Sequence, residues 1–199
     1  MSQAERRITP ADVMSLEDYA RVRRDWRREV IALKQHRRLA IGPDATLYFE
    51  NYRTMLQQVQ EMLWIEKGGA EQMADELEAY NPLIPQGDEL VATLMFEIGD
   101  EARRRRTLAR LGGVEETVGI EIDGETVRGE AEAGDQVERT TEDGKTSSIH
   151  FLHFRFTAQQ VARFRAPDAR VVVAIGHQNY AHMALMPAAV REALAQDFD

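Results

Sequence analysis

The chain has 199 residues, of which 43% are hydrophobic and 30% charged, and its formal net charge is −9. This composition is typical of a folded globular protein, and the acidic balance argues against general nucleic-acid binding. The sequence has no cysteine, which excludes disulfides, thiolate metal sites, iron–sulfur ligation and a cysteine nucleophile.

The sequence shows no targeting segment, membrane span or domain linker. The first residues contain no apolar segment typical of a signal peptide, and no apolar run is long enough to span a bilayer. We therefore expect a cytoplasmic protein without a membrane anchor. No segment rich in Pro, Gly or Ser divides the sequence, so we expect a single domain over residues 1–199.

The first long element is a basic helix. Ser15 to Asp18 resembles a capping box and predicts a helix that runs to about Arg38. Apolar residues recur along it at helical spacing, whereas its other faces carry a basic set: Arg21, Arg23, Arg24, Arg27, Arg28, Lys34, Arg37 and Arg38. With Arg103 to Arg106, this surface could bind an acidic partner or nucleic acid. The alternative is neutralisation by neighbouring acidic residues.

A hairpin and a central helix follow. Leu39 to Phe49 predicts two strands that turn at Gly42-Pro43-Asp44, and Asn51 is a suitable N-cap for a helix that runs to Lys67. One stripe of this helix is apolar and should face the core: Tyr52, Met55, Leu56, Val59, Met62 and Leu63.

A second stripe of the central helix supplies the candidate ligand site. Arg53, Gln57, Gln60 and Trp64 share this stripe, and such side chains suit hydrogen bonding and stacking. We predict that the stripe faces a cavity shared with the strands near the end of the chain. The polar groups of this pocket wall would be Glu50, Asn51, Arg53, Gln57, Gln60 and Glu61. A solvated helix face is the alternative interpretation.

The remainder of the chain alternates short helices with strands. Helices are predicted over 70–79, after Asp100, from Thr157 to Arg165 and after Pro187; strands are predicted over 90–98, 118–122, 125–129, 149–156, 171–177 and 180–185. Asp123-Gly124 is a strong two-residue hairpin signal, whereas the polar stretch Glu130 to Ser148 predicts a mobile loop. The pattern favours an α+β fold, with an antiparallel sheet packed against the long N-terminal helix and the central helix.

The histidines offer a candidate metal site. His150 and His153 are three residues apart in a predicted strand, so they should point to opposite faces. If the strands pair, either one could join His177, and carboxylates could complete a site for iron, zinc or manganese. The metal candidates are Glu61, Glu97, His150, His153 and His177. The alternative is that each histidine is an ordinary core or surface residue.

Five segments of the chain carry a family resemblance. The segments FENYRTMLQQVQEML, YNPLIP, ATLMFEI, SSIHFLHFRF and IGHQNY together resemble an uncharacterised bacterial family known only as a domain of unknown function. The resemblance covers nearly the whole chain. Genes of that family tend to lie beside genes for rubrerythrin-like proteins and iron–sulfur oxidoreductases, which implies a link to redox or oxidative-stress metabolism.

Three functional hypotheses follow from these features. The first is an accessory or ligand-binding protein whose partners are a small-molecule ligand or a redox protein. The second is a metal-dependent enzyme with a Glu/His site, and the third is an interaction module that uses the basic N-terminal helix. A homodimer is left open.

Overall fold

The structure is a computed structural model that describes residues 6–131 and 145–199. The described helices are α1 (Leu16–Gln35), α2 (Tyr52–Glu66), α3 (Gly69–Tyr80), α4 (Glu101–Leu108), α5 (Ala158–Arg165) and α6 (Ala188–Leu194). The strands are β1 (Arg38–Ile41), β2 (Ala45–Glu50), β3 (Glu89–Phe96), β4 (Val118–Ile122), β5 (Glu125–Arg128), β6 (Glu130–Ala131), β7 (Ile149–Arg155), β8 (Val171–His177) and β9 (Tyr180–Leu185). Every pairing between these strands is antiparallel, so the predicted α+β class is confirmed.

The strands form two sheets, whereas the sequence predicted one. Sheet A has the order β1-β2-β3-β7-β6, and sheet B has the order β5-β4-β8-β9. The chain passes from sheet B to sheet A at Gly129, between β5 and β6. The Gly129 N–H donates to the Val118 carbonyl at 2.9 Å, and a Cβ atom at Gly129 would lie 2.9 Å from the Phe154 ring. Only glycine therefore lets the two sheets approach this closely.

The inner faces of the two sheets share one apolar core. Leu90, Ala92 and Leu94 of β3 belong to the same buried cluster as Ile120 of β4 and Val173 of β8. The other face of sheet A is covered by α2, because Met55, Val59 and Leu63 form a second buried cluster with Val91. These contacts confirm the predicted apolar stripe of the central helix.

Local signals account for several boundaries. Asn51 caps α2, since its side-chain oxygen accepts from the Thr54 N–H at 3.0 Å. Asp123 and Gly124 both have positive φ angles, 48° and 96°, as a type I′ hairpin turn requires.

Part of the predicted mobile loop over 130–148 lies outside the described residues. At its ends, Glu130 and Ala131 form β6, and the Thr146 N–H donates to the Leu108 carbonyl.

One buried tyrosine links the two sheets. The Tyr180 hydroxyl of β9 donates to the Ile41 carbonyl at 2.7 Å and accepts from the N–H groups of Asp44 and Ala45, both at 2.9 Å. The β1–β2 turn is thereby fixed to sheet B.

None of the helices in the described residues combines the length and apolar character needed to cross a bilayer.

Candidate functional site

In the described part of the chain, the polar stripe of α2 faces α1 and the segment before it, and not the predicted cavity shared with the late strands. Gln60 is fully buried, and its side-chain amide bonds the backbone N–H and carbonyl of Met14 at 2.9 and 3.2 Å. Trp64 packs edge-to-face against Tyr19 of α1, with ring centroids 6.0 Å apart. The hydrogen-bonding partner of Gln60 and the stacking partner of Trp64 therefore lie within the protein.

Glu61 is the centre of a polar cluster between α1 and α2. Its carboxylate accepts from the Tyr19 hydroxyl and from Arg23, whose Nε and Nη2 atoms lie 3.0 and 2.8 Å away. Gln57 also lies beside Tyr19, and its side chain acts to lower the pKa of the Tyr19 hydroxyl, which burial and Glu61 raise. Burial alone would raise the pKa of Glu61, but the hydrogen bonds from Arg23 and Tyr19 outweigh it and lower the pKa below its ordinary value. The cluster joins the two helices.

The lowered pKa of Glu61 makes part of the protein's stability depend on pH. An acid with a depressed pKa in the folded state stabilises the fold above its ordinary pKa, and this contribution is lost as the pH falls through the folded-state value. We expect Glu61→Gln to remove this dependence. Urea unfolding at about pH 7 and about pH 3 should show a smaller loss of stability in the variant than in the wild type. Equal losses would contradict the assignment.

Glu50 and Asn51 lie at the other end of α2. The Glu50 carboxylate is buried beneath the helix and accepts from the hydroxyls of Thr54 at 2.7 Å and Thr93 at 2.9 Å. Asn51 is the cap of the helix. Arg53 is half exposed, and its guanidinium lies 3.4 Å from the exposed carboxylate of Glu29. Among the predicted ligand-site residues, Asn51 and Arg53 share a cleft, whereas Glu50, Gln60 and Glu61 have separate internal partners.

The structure separates the five predicted metal ligands. His153 contacts Glu89, with Nδ1 and Oε2 3.0 Å apart, whereas His150 lies on the opposite face of β7 with Nε2 3.1 Å from the Thr146 hydroxyl. His177 belongs to the other sheet. Glu97 is exposed and accepts from the Tyr48 hydroxyl at 2.9 Å. Within residues 6–131 and 145–199, no three His, Asp or Glu side chains are grouped closely enough to hold a metal ion.

The turn after His177 is a hairpin connection. The Nε2 atom of His177 lies 3.2 Å from the Gly112 carbonyl, and its Nδ1 atom accepts from the Asn179 N–H at 3.2 Å. The Asn179 side chain donates to the Arg110 carbonyl at 2.8 Å. This polar turn is therefore held by hydrogen bonds to the segment that follows α4.

The N-terminus of α2 opens into a cleft of about 630 Å³, which we call the α2 cleft. Its volume lies within the range of small-molecule sites. Segments from both ends of the chain contribute to its lining: Arg6, Leu33, Arg37, Asn51, Tyr52, Arg53, Ile84, Pro85, Ala193, Gln196, Asp197 and Asp199.

A buried ion pair forms one wall of the α2 cleft. Arg37 is only 2% exposed and donates to the Asp197 carboxylate and to the carbonyls of Phe49 and Glu50, both at 3.0 Å. Burial raises the pKa of Asp197, although Arg37 acts in the opposite direction. The sequence placed Arg37 on an exposed basic surface, which is wrong. Nothing in its neighbourhood along the chain indicates a partner 160 positions away.

Two further guanidinium groups line the α2 cleft. Arg6 donates to the carbonyls of Pro85 and Asp197 at 2.9 and 2.8 Å and to the Asp199 carboxylate at 2.5 Å. Arg53 has 49% of its side chain exposed. The positive end of the α2 dipole is also located here, and it favours negative charge. The cleft therefore already holds one carboxylate on Arg6.

The exposed arginines of α1 and α4 are largely paired. Arg21 contacts both Glu17 and Asp18, Arg28 contacts Asp25 at 3.1 Å, and Arg105 of α4 contacts Glu101 at 3.0 Å. This local pairing is the neutralisation considered as the alternative to a basic docking surface. The third functional hypothesis thus gains no support from these contacts.

Comparisons with known proteins agree with the family resemblance. A family model described as a protein of unknown function, DUF3501, matches residues 7–198. A crystal structure of a novel protein of unknown function from Burkholderia pseudomallei is 37% identical, with a TM-score of 0.88 over 96% of this chain and 99% of that chain. No curated protein matches the sequence. Because the family model covers almost the whole chain, the protein belongs to the DUF3501 family of proteins of unknown function.

Proposed function

We propose that the protein is an accessory, ligand-binding protein and that its ligand is a small anion bound in the α2 cleft. The observation that carries this proposal is the half-exposed guanidinium of Arg53 beside the first turn of α2. A guanidinium suits carboxylate and phosphate groups, since its planar donors match their oxygens.

The neighbouring charges support an anion rather than a cation. Arg6 and Arg53 are contributed by different segments, and Arg6 already donates to a carboxylate, that of Asp199. The charges of the other pair in the cleft, Arg37 and Asp197, cancel each other within the buried wall. The Glu29 contact of Arg53 is long, at 3.4 Å, and lies between two exposed side chains. An exposed pair of this kind contributes little to stability, so an incoming anion can replace Glu29 at low cost.

We expect Arg53→Ala to weaken anion binding by up to about fivefold, because an ion pair at a half-exposed side chain contributes up to about 1 kcal/mol. Isothermal titration calorimetry with phosphate, sulfate, acetate and citrate at constant ionic strength measures this effect. Arg105→Ala is the matched control, since Arg105 is also exposed and paired with a glutamate but belongs to α4. Arg53→Lys should retain part of the affinity.

Two outcomes would contradict the proposal. The first is that none of the four anions binds to the wild type under these conditions. The second is binding that Arg53→Ala and Arg105→Ala weaken to the same extent, because this would indicate a general effect of charge.

The proposed link to redox or oxidative-stress metabolism has a different basis from the anion site. The link to redox or oxidative-stress metabolism comes from the gene neighbours that the family resemblance implies, and it stays a prediction. The anion proposal does not depend on it. A redox partner protein would have to be identified by other means.

A further inference from the structure

Strand β9 forms one edge of sheet B and differs from the other described edge strands in its side chains. Its sequence is Tyr-Ala-His-Met-Ala-Leu, without Asp, Glu, Lys or Arg. The edge strands β1, β5 and β6 each carry at least one charged residue, namely Arg38, Glu125 with Arg128, and Glu130. Charged residues on edge strands oppose pairing with another chain, and β9 lacks this protection.

The backbone of β9 offers hydrogen-bonding groups along its outer edge. A two-residue turn joins β8 to β9, so His177 and Tyr180 form a hydrogen-bonded pair and the bonded pairs then alternate along the ladder. The bond from the Met186 N–H to the Val171 carbonyl, at 2.8 Å, continues this alternation. The N–H and carbonyl groups of Ala181, Met183 and Leu185 therefore point away from β8.

The side chains of the same residues are open to solvent. Met183 is 69% exposed and Leu185 is 64% exposed, which places them among the most exposed large apolar residues in the described part of the chain. The contacts of β9 with the β1–β2 turn are made on the inner face, by Tyr180 and by His182, whose ring lies against Gly42. These inner contacts do not use the outward side chains of Met183 and Leu185.

We propose that two copies of this chain pair through their β9 strands in an antiparallel arrangement around a twofold axis. Met183 of one copy then lies opposite Met183 of the other, and Ala181 lies opposite Leu185. The two sheets B join into one continuous antiparallel sheet. This inference is independent of the proposed anion site.

The charge pattern favours a second copy as the occupant. A twofold interface places each residue near its own counterpart, so any charged residue close to the axis would face a like charge. β9 has no such residue. Its backbone N–H and carbonyl groups that point away from β8 can hydrogen-bond the same groups of the second copy. The exposed methionine and leucine side chains also contact their cross-strand neighbours in the second copy, which removes part of their apolar surface from water.

Sedimentation velocity over a concentration series up to about 100 μM tests the proposal, since self-association depends on protomer concentration. We expect the wild type to dimerise, Met183→Lys to remain monomeric and the control Ile65→Lys to dimerise like the wild type. Ile65 is 65% exposed but lies on α2. Met183→Pro should also be monomeric while keeping its fold, because its N–H is not used by β8. A monomeric wild type, or dimers that persist in both Met183 variants, would overturn the proposal.

A cross-linking experiment tests the register. The chain contains no cysteine, so Met183→Cys introduces a unique thiol. Opposed residues of a hydrogen-bonded antiparallel pair have Cα atoms about 5.5 Å apart, within disulfide range. Mild oxidation should link Met183→Cys into covalent dimers and leave Ile65→Cys monomeric on denaturing gels. Dimers in sedimentation without a covalent link at position 183 would overturn the register.

Discussion

Arg37→Ala should lower the free energy of unfolding by about 3–5 kcal/mol, the cost of leaving one partner of a buried ion pair without the other. The Asp197 carboxylate is only 8% exposed and would lose its guanidinium partner. The carbonyls of Phe49 and Glu50 would lose a donor as well. Chemical denaturation followed by circular dichroism measures the change.

Two further variants separate the ion pair from a general effect of charge. Arg38→Ala removes the neighbouring arginine, which is exposed on β1, and should change stability by less than about 0.5 kcal/mol. Arg37→Met combined with Asp197→Leu removes both charges and should recover part of the loss, because no buried charge is left alone. Equal stabilities of Arg37→Ala and Arg38→Ala would contradict the role of Arg37.

Tyr180→Phe should cost about 2–4 kcal/mol, since removal of one hydroxyl leaves several buried backbone groups without a partner. The Ile41 carbonyl would lose its donor, and the N–H groups of Asp44 and Ala45 would lose their acceptor. The ring itself remains, so its edge contact with Phe96, at 5.5 Å between centroids, should be retained. The loss therefore reports on the hydroxyl alone.

Tyr48→Phe is the matched control for this substitution. The Tyr48 hydroxyl donates to the exposed carboxylate of Glu97, and water can replace that bond. We expect a loss below about 1 kcal/mol for Tyr48→Phe. Amide hydrogen exchange adds a local test, because the N–H groups of Asp44 and Ala45 should lose protection in Tyr180→Phe but not in Tyr48→Phe. A small and equal loss in both variants would show that Tyr180 does not link the sheets as described.

Short-range patterns predicted much of the fold. Asn51 at the start of α2 and Asp123-Gly124 between β4 and β5 act through bonds or backbone angles within a few residues, and sequence alone shows them. The apolar run over 90–98 predicted a strand in the same local way, and β3 occupies most of that run. The division into two sheets was missed, since it depends on close packing at Gly129 against a ring 25 positions away.

The lining of the α2 cleft could be anticipated from the sequence only for residues of α2 and its cap. Asn51 and Arg53, two of the predicted ligand-site residues, line the cleft. The partners that form the cleft, Arg6, Arg37 and Asp197, come from distant segments, and no local pattern connects them. Gln60 has a side-chain amide that could bind a ligand, but this amide forms hydrogen bonds with the Met14 backbone. A helix stripe shows what its side chains can bond, whereas the fold decides which partner they meet.

The most direct test of the proposed anion site is a phosphate titration of ¹⁵N-labelled protein followed by two-dimensional NMR. We predict saturable shifts of the backbone amides of Asn51, Tyr52 and Arg53 and of the Arg53 side-chain Nε–H, and their loss in Arg53→Ala. Shifts confined to other surfaces, or the absence of any saturable change near the first turn of α2, would contradict the account.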